Sequence, residues 1–222
     1  MQTINIIEIV LYLVFCYLLG SINTGLVISR FFLKDDIRQH GSGGAGTTNM
    51  LRTKGWKAGA ITFAGDTLKG ALAALGGVLL AHFLSAQQTP SFDHIFLSAF
   101  PYIAGLICII GHSFPVFFSF KGGKGIATAL GAFLVLNWRV ALCALGLFII
   151  SVAITRIVSV GSLAAALSIA VLAWCFGHHW TQVVCCGLVA ALLWFMHRGN
   201  IVRLVKGEEK PIFGKKKEND HA

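Results

Sequence analysis

Seven long apolar runs constrain this chain more than any other feature. They occupy roughly residues 4–28, 57–84, 94–117, 125–137, 139–155, 158–176 and 180–197. Crossing about 30 Å of hydrocarbon takes about 20 helical residues. A segment in lipid must also satisfy its own backbone, so these runs read as membrane helices. The fourth is short for a crossing. Charged residues make up 12% of the chain, about half the share usual in soluble domains. With so much of the 222 residues committed to spans, no separate soluble domain fits. The expected fold class is all-α, a polytopic membrane helical bundle of about seven transmembrane spans, with residues 1–222 forming one integral-membrane unit. The first run is too long for a signal-peptide core and has no basic region before it, so it is expected to remain as a span.

Charge sets the orientation. Of the 18 Lys and Arg, 16 fall in four places: residues 29–57, the loop 118–124, the turn 156–157, and the tail from 197 onward. Seven spans with the N-terminus outside put all of these on the cytoplasmic side. Residues 29–56, 118–124 and 197–222, the C-terminus included, are therefore expected to be cytoplasmic. The connection at 85–93 has no Lys or Arg. The net charge of +9 follows from the same rule without invoking a nucleic-acid partner. Cys16, Cys108, Cys143, Cys175, Cys185 and Cys186 all lie in apolar runs without metal-ligand spacing, and are expected to be free, buried thiols. No His, Asp and Glu cluster has ligand spacing, so no metal or other cofactor is expected. Trp138, Trp174 and Trp180 fit an interfacial belt.

Four stretches carry polar chemistry. The first is GSGGAGTTNMLRTKG, Gly41 to Gly55. Gly41, Gly43, Gly44 and Gly46 give a pliable backbone, Ser42, Thr47, Thr48 and Asn49 give donors, and Arg52 gives a planar fork suited to phosphate. A flexible linker is the plain alternative, but a linker needs neither TTN nor an Arg beside its glycines. The second is GHSFPVFFSFKGGKGIATALG, Gly111 to Gly131. Here Lys121-Gly122-Gly123-Lys124-Gly125 opens a helix, where backbone N–H groups and the helix end suit an oxyanion. It is not a Walker loop, because no Ser or Thr follows Lys124. A basic loop that only orients the spans is the alternative. In the second run, Asp66 and Lys69 are spaced i, i+3 and can pair; a structural pair or site support is favoured over direct chemistry. The fourth stretch, HRGNIVRLVKGEEK, puts His197 and Asn200 one helical turn apart at the end of the last run, where a histidine is suited to proton exchange. Arg198 and Arg203 alone would suit a stop-transfer anchor.

Taken in order, these stretches resemble the bacterial acyl-phosphate-dependent glycerol-3-phosphate acyltransferases over nearly the whole chain. The family shows Gly-Ser in the first span (Gly20-Ser21), and GSGNPGATN-x-x-R (GSGGAGTTNMLR). Asp-x-x-Lys-Gly follows (Asp66 to Gly70), then GHxFPVFxxFKGGKGxAT (Gly111 to Thr128) and H-x-x-N-I-x-R-L-x-x-G-x-E (His197 to Glu209). Gly44, Ala45 and Thr47 stand where the family usually has Asn, Pro and Ala, and Asn23 where a Pro is common, a change expected to affect only the local bend. The resemblance implies an enzyme of the bacterial inner membrane, multi-pass, with its site on the cytoplasmic face. It implies transfer of a fatty acyl group from acyl phosphate to the 1-hydroxyl of glycerol 3-phosphate, giving lysophosphatidic acid and phosphate, the first step of phospholipid synthesis. Its partners would be acyl phosphate, glycerol 3-phosphate and membrane lipids. Ser42, Arg52, His197 and Asn200 would be the essential site residues. Gly41, Gly43, Gly46, Thr48, Asn49, His112, Lys121, Gly122, Gly123, Lys124 and Gly125 would bind substrate or its phosphate, with Asp66, Lys69 and Glu209 in support.

Whether His197 is the base or only positions the hydroxyl, with a substrate phosphate taking the proton, stays open at this level. Acyltransferases that use acyl-CoA or acyl carrier protein in this step typically carry His-x-x-x-x-Asp, and no histidine here has an Asp five residues on. The rival class is a transporter for a phosphorylated solute. A transporter places its site near the midplane on broken helices, whereas these polar groups gather at one expected face. The charge pattern makes a direct prediction: in intact cells a single cysteine at position 88 will react with a membrane-impermeant thiol reagent, and one at 216 will not. The reverse labelling would overturn the seven-span orientation.

Overall fold

The computed structural model of the chain describes residues 2–86 and 93–212, with side chains from Ile6 onward. The connection at 87–92 and the tail lysines Lys215, Lys216 and Lys217 lie outside the described residues. All regular structure described is helical: α1 (Gln2–Ser21), α2 (Thr24–Val27), α3 (Thr47–Lys54), α4 (Trp56–Ala86), α5 (His94–Ser113), α6 (Ile126–Leu136), α7 (Trp138–Thr155), α8 (Val158–Cys175), α9 (Trp180–Met196) and α10 (Arg198–Val205).

Among the described residues, α4, α5, α7 and α8 are each long and apolar enough to cross a membrane. Two bent pairs also qualify: α1 with the helical segment Thr24–Phe32, bent by 47°, and α9 with α10, bent by 59°. That makes up to six candidate spans. The remaining expected span is α6, whose 11 residues reach only about 16 Å, roughly half the hydrocarbon thickness. It stops at Asn137, whose extended backbone breaks the helix and whose side chain caps α7 by accepting from the N–H groups of Arg139 and Val140. At the first bend, Asn23 does more than shape the turn. Its Oδ1 caps α2 at Leu26, and its Nδ2 donates to the carbonyl of His112 on α5 at 3.4 Å.

Small residues allow the helices to approach closely, as association in lipid requires. The contacts are reciprocal. A Cβ on Gly20 would collide with the Cys108 carbonyl, and one on Gly111 with that of Tyr17, so α1 and α5 meet backbone to backbone. Gly70 against Thr128, and Gly131 against Thr67, do the same for α4 and α6. The largest apolar core lies among α5 to α9, around Tyr102, Ile109, Phe133, Val140 and Leu193. Outward-facing positions such as Leu79, Ile154 and Val171 are exposed and apolar, as a lipid-facing surface demands. The cysteines are all free, but only four are buried: Cys143 and Cys175 face outward from α7 and α8, where a thiol is as compatible with lipid as with a core.

The polar interior is concentrated around Asp66. Its Oδ1 lies 2.9 Å from Lys69 Nζ and 3.6 Å from His112 Nδ1, and accepts from the Thr24 N–H at 3.3 Å. Lys69 also donates to the carbonyls of Gly20 and Ile22, both at 2.9 Å. One ion pair on α4 thus closes the exposed C-terminal carbonyls of α1 and the start of α2. Breaking a buried pair from one side strands a charge and costs about 3–5 kcal/mol. Asp66→Ala should therefore lower the thermal midpoint in detergent sharply, and Asp66→Ala/Lys69→Met should lower it by less than the two single changes added together. Strict additivity would show that the pair is not coupled.

Candidate active site

At one end of the bundle the four basic segments are tied to one another. Arg38 pairs with Asp36 at 2.6 Å and donates to the carbonyls of Phe118 and Lys121, both at 3.2 Å, joining the first loop to the 118–124 loop. Arg52 Nη2 donates to the carbonyls of Lys210 and Pro211, and the Ile212 N–H donates to the carbonyl of Arg156. The C-terminal segment therefore straps α3 to the α7–α8 turn.

At this end lies a cavity of about 180 Å³ whose wall includes Ser42, Gly46, Thr48, Asn49 and Arg52. His112, Asp66, Lys124, Gly125, His197, Asn200 and Glu209 complete the set of expected residues found there. Gly41, Gly43, Lys69, Lys121, Gly122 and Gly123 do not line it. The reasons are local. Gly41 and Gly43 turn the loop at φ of +61° and +71°, a region that favours glycine. The N–H groups of Gly122 and Gly123 donate to the carbonyls of Ser113 and His112, so they are committed to the end of α5 and not to an oxyanion. Both glycines are needed there, because a Cβ would strike the His112 carbonyl or ring. The Lys121 side chain is exposed. Asn49 is likewise occupied: its Nδ2 donates to Ile37, His40 and Gly44 carbonyls and its Oδ1 accepts from the Ser42 N–H. Asn49 is the post around which the glycine loop winds.

What the cavity offers an anion is therefore different from a glycine cradle. α3, α6, α8 and α10 begin without a side-chain cap; the first residues of α3, α6 and α8 line this cavity, as do His197 and Asn200 at the start of α10. By contrast α2, α5, α7 and α9, which begin elsewhere, are capped by Asn23, Asp93, Asn137 and His179. Uncapped first-turn N–H groups and the positive end of the helix dipole converge on one space. Thr47 adds a buried Oγ1 with no protein partner among the described residues. Arg52 brings its guanidinium fork and Lys124 its ammonium.

A hydrogen-bond relay holds these groups in place. Lys124 Nζ donates to Asn200 Oδ1 at 2.5 Å, and Asn200 Nδ2 donates to Glu209 Oε1 at 2.6 Å. Glu209 also accepts from Ser159 Oγ at 3.0 Å and Arg203 Nε at 2.6 Å. Burial pushes the Glu209 carboxyl up, but the bonds from Arg203, Asn200 and Ser159 outweigh it and hold it below the usual carboxylate range. Burial pulls the Lys124 ammonium down to about 8; Glu209 opposes this, while Arg203 and Arg52 add to it. His197, at the bend between α9 and α10, is buried. Its Nδ1–H donates to the Leu193 carbonyl at 2.7 Å, which leaves the Nε2 lone pair free.

Comparison with known proteins fits this arrangement. The glycerol-3-phosphate acyltransferase family profile matches residues 10–207. The chain belongs to that family. A glycerol-3-phosphate acyltransferase of Clostridioides difficile (strain 630) is 39% identical over 214 residues, covering 96% of this chain and all of that protein. One from Lactiplantibacillus plantarum is 35% identical over 205 residues, 92% of each. The crystal structure of PlsY (YgiH), an integral membrane glycerol 3-phosphate acyltransferase, in its glycerol 3-phosphate form, superposes with a TM-score of 0.77 at 36% identity, covering 93% of this chain and 96% of that one. Its lysophosphatidic acid form gives 0.74 at 35% identity. Membership of an acyltransferase family sets the transporter reading aside.

Ser159 and Ser162 line the acyltransferase cavity but were not among the expected residues. In an apolar run a serine reads as a small packing residue. The signal that marks them is position, at the start of the helix that follows Arg156, where the first loop has its Thr residues. Lys124 gives a test of the electrostatics. Its charge is present below about pH 8 and lost above it, so KM for the phosphate substrate it holds should rise above pH 8. Lys124→Arg, which does not titrate in this range, should flatten that rise. An identical pH profile in the variant would show that Lys124 does not contact the phosphate.

Proposed function

We propose that this acyltransferase moves a fatty acyl group from acyl phosphate to the 1-hydroxyl of sn-glycerol 3-phosphate, giving lysophosphatidic acid and inorganic phosphate. The observation that carries the reading is the convergence of Arg52, Lys124 and the uncapped helix starts on one cavity beside the free Nε2 of His197. Two phosphate-bearing substrates account for so much positive potential in one place, and the apolar space adjoining the cavity accounts for an acyl chain. In the reaction the glycerol oxygen attacks the acyl carbonyl carbon, the new ester bond forms, and the bond to the phosphate oxygen breaks. The leaving group is phosphate, whose charge the helix ends and Lys124 neutralise. Acyl phosphate is an activated anhydride, so orientation supplies much of the remaining acceleration.

The proton has a natural destination. The His197 ring is buried and its Nδ1–H is held by the Leu193 carbonyl, whereas a substrate phosphate, with a second pKa near 6, is open to accept a proton. His197 then acts by accepting a hydrogen bond from the hydroxyl and aiming it, and a substrate phosphate takes the proton. The charge distribution supports a bacterial inner-membrane location, with the N-terminus outside, residues 29–56, 118–124 and 197–222 cytoplasmic, and the site open to that face. All of the chain serves this one catalytic unit, and the chemistry calls for no metal or cofactor.

The test is turnover by purified protein in lipid nanodiscs, with phosphate release and lysophosphatidic acid both measured. Acyl phosphate should support it, and acyl-CoA alone should not; the opposite result would overturn the donor. In the same assay Arg52→Lys keeps the charge but loses the fork, so KM for glycerol 3-phosphate should rise about tenfold to a hundredfold with kcat largely kept. His197→Ala should instead lower kcat, and an unchanged kcat would remove His197 from the chemistry.

A further inference from the structure

Beside the polar cavity lies an apolar one of about 100 Å³ between α6, α7 and α8. Phe63, Ile126, Ala127 and Phe148 border both, so the two spaces adjoin. The apolar space exists because alanine stands where a larger side chain would close it: Ala129, Ala141, Ala144, Ala165 and Ala166 all face it and are buried. Phe63 of α4, which borders it, is 42% exposed.

The three wall helices agree on where this slot ends. α6 and α8 start at the polar cavity, and α7 finishes there, since Arg156 at its end receives the strap. Moving away from the cavity therefore runs from Ala127 to Phe133 on α6, from Phe148 to Val140 on α7, and from Ser162 to Ile169 on α8. At 1.5 Å per residue these paths are about 9–12 Å long. Phe133, Val140 and Ile169 stand together at their far ends, all buried. Behind them the Tyr102 ring packs edge-on against Phe133, with centroids 6.3 Å apart.

We infer that Phe133, Val140 and Ile169 form an end wall that sets how much of the acyl chain the enzyme reads. The inference rests on the donor proposed above. Each methylene that enters the slot exchanges fluid lipid for a fixed apolar wall, a gain that comes from close packing. The gain ends when the chain reaches the wall. Methylenes beyond that number gain nothing from the protein. With a bond of about 1.5 Å at a near-tetrahedral angle, a methylene advances roughly 1.25 Å, so the 9–12 Å of helix path sets an upper bound of about seven to ten methylenes.

The experiment measures kcat/KM for a series of saturated acyl phosphates of increasing length, using the full chain in lipid nanodiscs. For the wild type, kcat/KM should climb with length and then break to a flat or falling line. Ala144→Leu, one helical turn nearer the cavity than Val140, should move the break about four methylenes shorter. Ile169→Ala should move it longer, and the smaller change Ile169→Val should move it in the same direction by less. Thermal unfolding identifies any variant that fails to fold, and the two changes at Ile169 are mild enough to decide the matter without Ala144→Leu. A break that stays at the same length in the folded variants overturns the end wall while leaving the donor reading intact. Absence of transfer from any acyl phosphate by the wild type overturns both.

Discussion

In hydrocarbon every backbone N–H has to find a partner within the protein, and a helix start leaves several without one. This bundle resolves the problem in two ways, sorted by place. Of the helices that begin away from the cavity, α2, α5, α7 and α9 carry a side-chain cap: Asn23, Asp93, Asn137 and His179. Helices that begin at the cavity carry none. Since an uncapped start is tolerable only where water or an anion reaches it, these uncapped starts mark a polar opening in the bundle, and N–H groups that would be a liability in lipid are there free to meet an anion.

Holding several cations and helix ends together is itself unfavourable, and the anionic side chains nearby are placed to offset it. Glu209 is the clearest case. It lies on the C-terminal segment, far in sequence from Lys124, yet it fixes Asn200, which fixes Lys124, and takes Ser159 and Arg203 as well. Asp66 does the corresponding work deeper in the bundle, with Lys69 and His112. Each carboxylate is partnered by more than one donor, which is the condition under which buried charge is tolerated. The C-terminal strap is consequently part of the site. Its carbonyls at Lys210 and Pro211 hold Arg52 from one side, while among the described residues Arg52 Nε and Nη1 take no protein acceptor and remain for a ligand.

How much of this was legible in the sequence depends on whether a residue acts through its own spacing or through its neighbours. Asp66 and Lys69 are one turn apart on a helix, and so are His197 and Asn200; for such pairs the helical period alone decides who meets whom. The fold class followed from hydropathy for the same reason. Gly122 and Gly123 could not be read this way. A glycine beside a lysine looks the same whether its N–H faces a phosphate or, as here, the carbonyls of Ser113 and His112. Asn49 looked like a ligand donor, and only the path of the loop around it reveals that its amide is fully used. Ser159 and the alanine-walled slot depend on helices meeting far apart in the chain, which no local pattern encodes. α6 ends early because of Asn137, a residue that marks a helix boundary but does not announce how deep in the bundle that boundary will fall.

The placement of His197 shows how the membrane bundle shapes the chemistry. The bend between α9 and α10 buries the ring, and the Leu193 carbonyl one turn back fixes the proton on Nδ1. A histidine so arranged has one acceptor atom left, Nε2, which suits orienting a hydroxyl. Lys124 lines the same cavity and is held by Asn200, one turn on from His197, which Glu209 holds in turn. The two glycine-rich loops, far apart in the sequence, therefore contribute Arg52 and Lys124 to a single electrostatic unit with His197 at its edge.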